Sequence, residues 1–94
     1  MPLTDTKKEF VLSKQILRSG TSVGANVREG IHAQSRNDFI SKMNIALKEA
    51  GETDYWLELL FKTGYISETE YKNIAEDCNR IIKILASIVK TSKK

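Results

Sequence analysis

The chain has 94 residues, enough for one domain spanning residues 1–94 and too few for a second. It contains one cysteine and one histidine, which excludes an intramolecular disulfide and leaves too few ligands for a zinc site. The net charge of +3 is mildly basic, so it permits an acidic partner such as nucleic acid without requiring one. With no secretory signal and no apolar run near the roughly 18 residues of a membrane span, we expect a cytoplasmic protein that does not contact membranes.

The first predicted helix begins near Thr6, because Thr6 and Glu9 have the spacing of a capping box. A stripe of apolar and small residues follows at helical spacing. Three glycines interrupt it, at Gly20, Gly24 and Gly30. Each glycine in a helix interior costs about 0.5–1 kcal/mol relative to alanine. We therefore expect another helix to approach this backbone closely.

The second predicted helix begins at Arg36 or Asn37, after an N-cap at Ser35, and runs to about Thr63. Gly64 has the position of the glycine that ends a helix in a Schellman motif. The next connection is therefore short, which predicts that the following helix runs antiparallel to this one.

The third predicted helix has the clearest start, because Ser67 and Glu70 form a second capping-box pattern. Its apolar stripe continues to Val89 at helical spacing. No segment shows the alternation that is typical of a strand. The sequence therefore predicts an all-α protein, an up-and-down antiparallel bundle of three long helices.

These helices carry more apolar surface than a three-helix monomer can bury. The excess lies on the first helix and on a second row along the middle helix, and it implies a missing helix, a partner subunit, or both. We predict a homo-oligomer with the following interface residues: Phe10, Leu17, Gly20, Gly24, Ile45, Trp56 and Leu59.

No set of residues indicates catalysis. His32 and Cys78 cannot form a metal site by themselves, the serines lack a nearby base, and no glycine loop is placed to bind a phosphate. We therefore expect no enzymatic activity, no cofactor and no metal.

Basic side chains follow one side of the first helix. The ridge, as we call this set, consists of Lys7, Lys14, Arg18, Arg28 and His32. Such a line of cations is typical of a surface that follows nucleic-acid phosphates. An ordinary solvated helix face has the same pattern, and composition alone does not separate the two.

Two blocks of the sequence carry a resemblance to a known family: LSKQILRSGTSVGANVREG and AQSRNDFISKMNIALKEAGETDYWLELLFKTGYIS. They resemble the four-helix-bundle proteins encoded in intervening sequences of bacterial 23S rRNA genes, from about Glu9 to Lys94. That family in turn resembles the accessory protein of diversity-generating retroelements. The resemblance implies an up-and-down bundle with a basic surface that assembles into a ring, typically a pentamer.

The chain departs from the family pattern at its start. Family members usually have a further amphipathic helix before the segment KKEFVLSKQ, and here only Met1 to Thr6 precede that segment. The resemblance thus implies a four-helix bundle that lacks its first helix. This agrees with the excess apolar surface.

We expect a non-catalytic protein that binds nucleic acid, RNA above all and DNA as well, through the ridge. The alternative is a protein–protein adaptor or accessory subunit. The accessory relatives, which bind nucleic acid and a reverse transcriptase, suggest a reverse transcriptase as its partner.

Overall fold

The computed structural model of the protein describes residues 3–92, with side chains from residue 7 onward. It contains three α-helices: α1 (Leu3–Ile31), α2 (Arg36–Lys62) and α3 (Glu68–Ser92). No strand occurs within the described residues. The all-α prediction is confirmed, and so are the predicted positions of both connections.

The starts of α2 and α3 follow the predicted capping chemistry. The Ser35 hydroxyl accepts a hydrogen bond from the Asp38 backbone N–H at 3.0 Å. At α3, the Glu70 N–H donates to the Ser67 hydroxyl at 3.1 Å, and the Ser67 N–H donates to the Glu70 carboxylate at 3.0 Å. These bonds satisfy backbone donors that have no partner inside the helix.

The end of α2 is the predicted Schellman motif. Gly64 has a φ of +84°, a conformation that favours glycine. The Tyr65 N–H donates to the Leu60 carbonyl at 3.1 Å, and the Gly64 N–H donates to the Phe61 carbonyl at 2.9 Å. The chain therefore reverses direction here within a few residues.

The predicted start of α1 is wrong. The helix already includes Leu3, so Thr6 lies inside it and cannot be its N-cap. Glu9 instead accepts a hydrogen bond from the Ser13 hydroxyl at 2.8 Å, one turn further along the same helix. The spacing of a capping box occurs here within a continuous helix, where no backbone donor needs a cap.

Helix α2 lies between the other two helices. It runs antiparallel to both, so α1 and α3 are parallel to each other. Helices α1 and α3 are held apart by α2, and no Cα atom of one lies within 8 Å of a Cα atom of the other. The three helices therefore form an open arrangement, 51 Å long, with a groove between α1 and α3.

The core is narrow and is built on α2. Its central cluster of buried residues consists of Met43, Ala46, Ala50, Leu85 and Val89. The seam between α1 and α2 is partly polar, because Ser19 is completely buried and its hydroxyl accepts a hydrogen bond from the Thr53 hydroxyl at 2.7 Å.

Close helix approach occurs at one of the three glycines of α1. A Cβ atom on Gly30 would lie 2.6 Å from Met43 Cε and 3.3 Å from Lys42 Cβ, so α2 passes directly over this residue. A Cβ on Gly20 or Gly24 would meet nothing within 4 Å. Close approach of a helix of the same chain is thus found at Gly30, while Gly20 and Gly24 stay predicted as positions where a helix of another subunit packs.

Candidate nucleic-acid interface

The ridge is exposed on α1 and just beyond it. Lys7, Lys14, Arg18 and Arg28 belong to the helix, and His32 follows its last residue in the connection to α2. Their spacing along a continuous helix places them along one side of it. The structure therefore brings the predicted residues to one surface.

Arg18 differs from the other members because it is engaged within the chain. Its guanidinium lies 2.8 Å from the Glu52 carboxylate and 3.4 Å from the Glu49 carboxylate, both on α2. The hydrogen bond to Glu52 is the main cause of a raised pKa for Arg18. The charge of Arg18 is balanced by two acids, so this residue is the weakest candidate of the ridge for a phosphate contact.

Three cations of the ridge are unpaired. Lys7, Lys14 and Arg28 form no ion pair with any side chain of residues 7–92. The intervals between them are multiples of seven residues, which keeps the three side chains near one side of the helix. At 1.5 Å per residue they span about 32 Å along the helix axis. The unpaired charge is therefore distributed along most of α1.

The acid that is nearest to the ridge in sequence is itself neutralised. The Glu29 carboxylate lies 3.2 Å from the Lys42 ammonium of α2. It therefore subtracts little from the positive potential around Arg28. Sequence periodicity did not find this pair, because its two members are on different helices.

Apolar side chains border the ridge near Lys14. A shallow depression is lined by Phe10, Ser13, Lys14 and Leu17. Leu17 is 71% exposed and Phe10 is 64% exposed. Cationic and apolar groups thus share one surface of α1.

Three further predicted interface residues lie on α2, and one of them, Leu59, shares a depression with Val11 and Leu12 of α1. Ile45 is 38% exposed, while Trp56 and Leu59 are half-buried. The Trp56 ring packs edge-on against Tyr55 at a centroid distance of 5.0 Å. Its indole Nε1 is buried and has no hydrogen-bond partner among the described residues. Only part of this row is therefore open to another molecule.

The open groove between α1 and α3 is apolar. Helical periodicity in the sequence did not distinguish the residues that line this groove from the residues of the core. It contains two depressions, lined mainly by α1 and α3 at the rims and α2 at the floor. Three isoleucines of its α3 rim are about half exposed: Ile74, Ile81 and Ile84. Two of them, Ile74 and Ile81, share a seven-residue spacing with Ile88, and this spacing is the sequence signal for the rim.

Cys78 lies at the floor of this groove. Its thiol is buried and donates a hydrogen bond to the Ala50 carbonyl at 3.5 Å. Burial raises the pKa of the Cys78 thiol, and the nearby Asp54 charge adds to this effect. The thiol is therefore a packing group in its protonated form.

Two other structural features bear on the class of protein. In the described part of the chain, no three His, Cys, Asp or Glu side chains lie close enough to hold a metal ion. Within residues 3–92, no helix has the length and apolar character that a membrane crossing requires.

The fold and the site define a class of protein: a small helical bundle whose exposed features are a line of cations and an open apolar groove. Residues 3–87 match the family described as 23S rRNA-intervening sequence protein. The chain belongs to that family, as the two sequence blocks predicted. No curated protein matches it.

A solved structure from Bacteroides thetaiotaomicron VPI-5482 is similar to this chain. That protein is described as one with unknown function from the S23 ribosomal protein family. The two sequences are 62% identical, and the structures superpose with a TM-score of 0.85 over 94% of this chain and 82% of that one. Neither description names an enzymatic reaction.

Proposed function

We propose that this protein is a non-catalytic, cytoplasmic nucleic-acid-binding protein that holds RNA through phosphate contacts along α1. The observation that carries the proposal is the line of unpaired cations Lys7, Lys14 and Arg28 on one helix. Membership of a family named after an rRNA intervening sequence supports RNA as the preferred ligand.

The chemistry of the ridge favours backbone contacts over base recognition. A lysine ammonium acts as a point charge toward a phosphate, and an arginine guanidinium can donate two parallel hydrogen bonds to it. Such contacts position a nucleic acid without reading its sequence. Binding should therefore tolerate changes of sequence and weaken steeply as salt is added.

We further propose that the protein acts as a homo-oligomer. Three unpaired cations on one chain make a weak site, and repetition of that site on several subunits would increase avidity. The exposed apolar residues Phe10, Leu17 and Ile45 support self-association. The pentameric ring is the assembly that the family resemblance suggests, with Gly20, Gly24, Trp56 and Leu59 completing its interface.

The decisive experiment compares two double variants that remove the same charge. The first, Lys14→Gln with Arg28→Gln, removes two unpaired ridge cations. The control, Lys48→Gln with Lys83→Gln, removes two exposed and unpaired cations from α2 and α3. Fluorescence anisotropy with labelled RNA and DNA over a salt series gives both affinity and salt dependence.

We expect the ridge variant to lose affinity for RNA and DNA. The slope of log affinity against log salt should fall by roughly 0.7–0.9 for each lost contact. The control should keep the slope of the wild type. Arg18→Gln should also have little effect, since Arg18 is paired with two glutamates. Equal losses in the ridge variant and the control would contradict a site on α1.

The alternative function is a protein–protein adaptor, for example an accessory subunit of a reverse transcriptase. The juxtaposition of Phe10 and Leu17 with Lys14 favours it, because apolar and cationic groups together suit an acidic amphipathic partner. If the wild type does not bind RNA or DNA at about 50 mM salt, where phosphate contacts are strong, the adaptor function replaces the first proposal.

A further inference from the structure

Hydrogen bonds between the helices show which residues lie at the same level along the bundle. The Thr53 hydroxyl donates to the Ser19 hydroxyl at 2.7 Å, and the Cys78 thiol donates to the Ala50 carbonyl at 3.5 Å. Each of these residues lies near the middle of its helix. The three helices can therefore be divided at this level into two halves of the bundle.

Charge is distributed unequally between these halves. The basic half, residues 20–48 and 79–92, contains seven lysines and arginines and two acids, a net charge of +5 with its histidine neutral. The acidic half, residues 7–19 and 49–78, contains six lysines and arginines and nine acids, a net charge of −3. The fold therefore separates charge along the 51 Å length of the bundle. The positive pole is the end at which α1 is connected to α2.

Three cations from three different helices stand at this positive pole. Arg28 is in the last turn of α1, Arg36 is the first residue of α2, and Lys90 is in the last turn of α3. The Arg36 guanidinium donates two hydrogen bonds to the Ser92 carbonyl, at 2.7 and 3.1 Å, so the start of α2 is tied to the end of α3. Arg28 and Lys90 form no ion pair with any side chain of residues 7–92. We call the three cations the basic end.

We propose that RNA docks on the basic end and runs onto α1 from there, so that Arg36 and Lys90 are phosphate contacts additional to the ridge. This inference rests on the proposed RNA-binding function and specifies where on the bundle RNA binds. The potential of the basic half attracts a polyanion to this pole. An RNA centred on Lys7 would instead approach the half that contains nine acids. Among the ridge residues, Arg28 should therefore contribute more to binding than Lys7.

Two further cations of the basic half guide the approach of RNA without contacting it. At 1.5 Å per residue, Lys48 lies about 18 Å from the start of α2, and Lys83 lies about 14 Å from the end of α3. These distances exceed the Debye length, which is about 8 Å at physiological ionic strength. The salt dependence of the affinity counts phosphate contacts, so it should respond to Lys90 and not to Lys48 or Lys83.

The first test compares Lys90→Gln with the matched control Lys83→Gln. Both lysines are exposed on α3, and the seven residues between them keep both near one side of the helix. Fluorescence anisotropy with labelled single-stranded RNA at 50 and 200 mM salt gives the two slopes. Lys90→Gln should lower the slope of log affinity against log salt by roughly 0.7–0.9, so its loss of affinity should be about threefold greater at the lower salt. Lys83→Gln should keep the slope of the wild type.

The second test locates the RNA without changing a charge. Single cysteines replace Gln34, in the connection at the basic end, and Thr69, in the first turn of α3 at the opposite end. Both positions are exposed, and both variants are made in a Cys78→Ala background. A benzophenone attached to each cysteine is photo-cross-linked to the labelled RNA, and circular dichroism establishes that each variant is folded. We expect cross-linked RNA from Gln34→Cys and little from Thr69→Cys.

The outcomes separate this inference from the proposed function. If the wild type binds RNA but the two cysteine variants cross-link equally, or if Lys90→Gln keeps the slope of the wild type, the basic end is not the docking site and the RNA-binding function stands. If the wild type does not bind RNA at 50 mM salt, the proposed function is wrong and this inference is overturned with it.

Discussion

Gly30→Ala is the substitution for which the structure gives the clearest quantitative expectation. The new Cβ would lie 2.6 Å from Met43 Cε and 3.3 Å from Lys42 Cβ. The Met43 methyl can move, but Met43 is only 2% exposed, so it must move within a packed core. Lys42 Cβ is fixed to the backbone of α2, so the two helices must separate by a few tenths of an ångström.

Two effects of opposite sign decide the outcome. Overpacking costs about 1–3 kcal/mol, and replacing a helical glycine by alanine returns about 0.5–1 kcal/mol. We therefore expect a net loss of about 0–2.5 kcal/mol in the free energy of unfolding. For a domain of this size, each kcal/mol lowers the Tm by about 4–8 °C. Thermal and urea unfolding followed by circular dichroism measure both quantities.

Gly51→Ala is the matched control for this substitution. Gly51 lies inside α2 and a Cβ there would meet nothing within 4 Å, so only the gain of about 0.5–1 kcal/mol should remain. Met43→Leu shortens the side chain that Gly30→Ala would strike and should relieve part of its cost in a double-mutant cycle. If Gly30→Ala raises the Tm as much as Gly51→Ala does, the close approach of α2 at Gly30 is refuted.

Two further predictions concern the assembly and the start of α3. Ile45→Lys places a charge on the exposed part of the predicted α2 interface. It should reduce the oligomer mass measured by sedimentation at micromolar concentration, while the circular dichroism spectrum stays unchanged. A wild-type protein that is monomeric under these conditions would contradict the interface. The capping bonds with Ser67 lower the pKa of Glu70. They therefore stabilise the fold fully at pH values above the ordinary glutamate pKa of about 4.3. This stabilisation is lost as the pH falls through the lowered pKa of Glu70. Glu70→Gln keeps the capping geometry without a titrating group, so its stability should fall less between pH 5 and pH 3, about the range of that titration; an unchanged acid-side profile would speak against the linkage.

Short-range sequence signals, whose residues lie within a few positions of one another, predicted the helix boundaries correctly at the places where a helix begins or ends. Ser67 with Glu70, Ser35 with Asp38, and Gly64 each act through the backbone next to them, and the structure contains all three arrangements. The same kind of signal failed at Thr6, since a capping-box spacing inside a helix has no free backbone donor to serve.

Interactions between helices were beyond the reach of the sequence pattern. Arg18 belongs to the ridge by its position on α1, yet its partners Glu49 and Glu52 are more than 30 residues away, so spacing alone could not identify them. The glycines of α1 illustrate the same limit. The sequence pattern indicated that another helix approaches the backbone at all three. Within the chain, α2 passes close to Gly30 and not to Gly20 or Gly24.

Because α1 and α3 each pack along α2 and share no Cα pair within 8 Å of each other, the cooperativity of this fold is asymmetric. Detachment of α3 exposes Ala50 and Leu85 but leaves the α1–α2 pair and its buried Ser19–Thr53 hydrogen bond intact. Opening of α2 removes the contacts of both neighbours at once. Backbone amides in the middle of α2 should therefore exchange with solvent only through global unfolding. Amides of α3 should also exchange through partial unfolding, which requires less free energy.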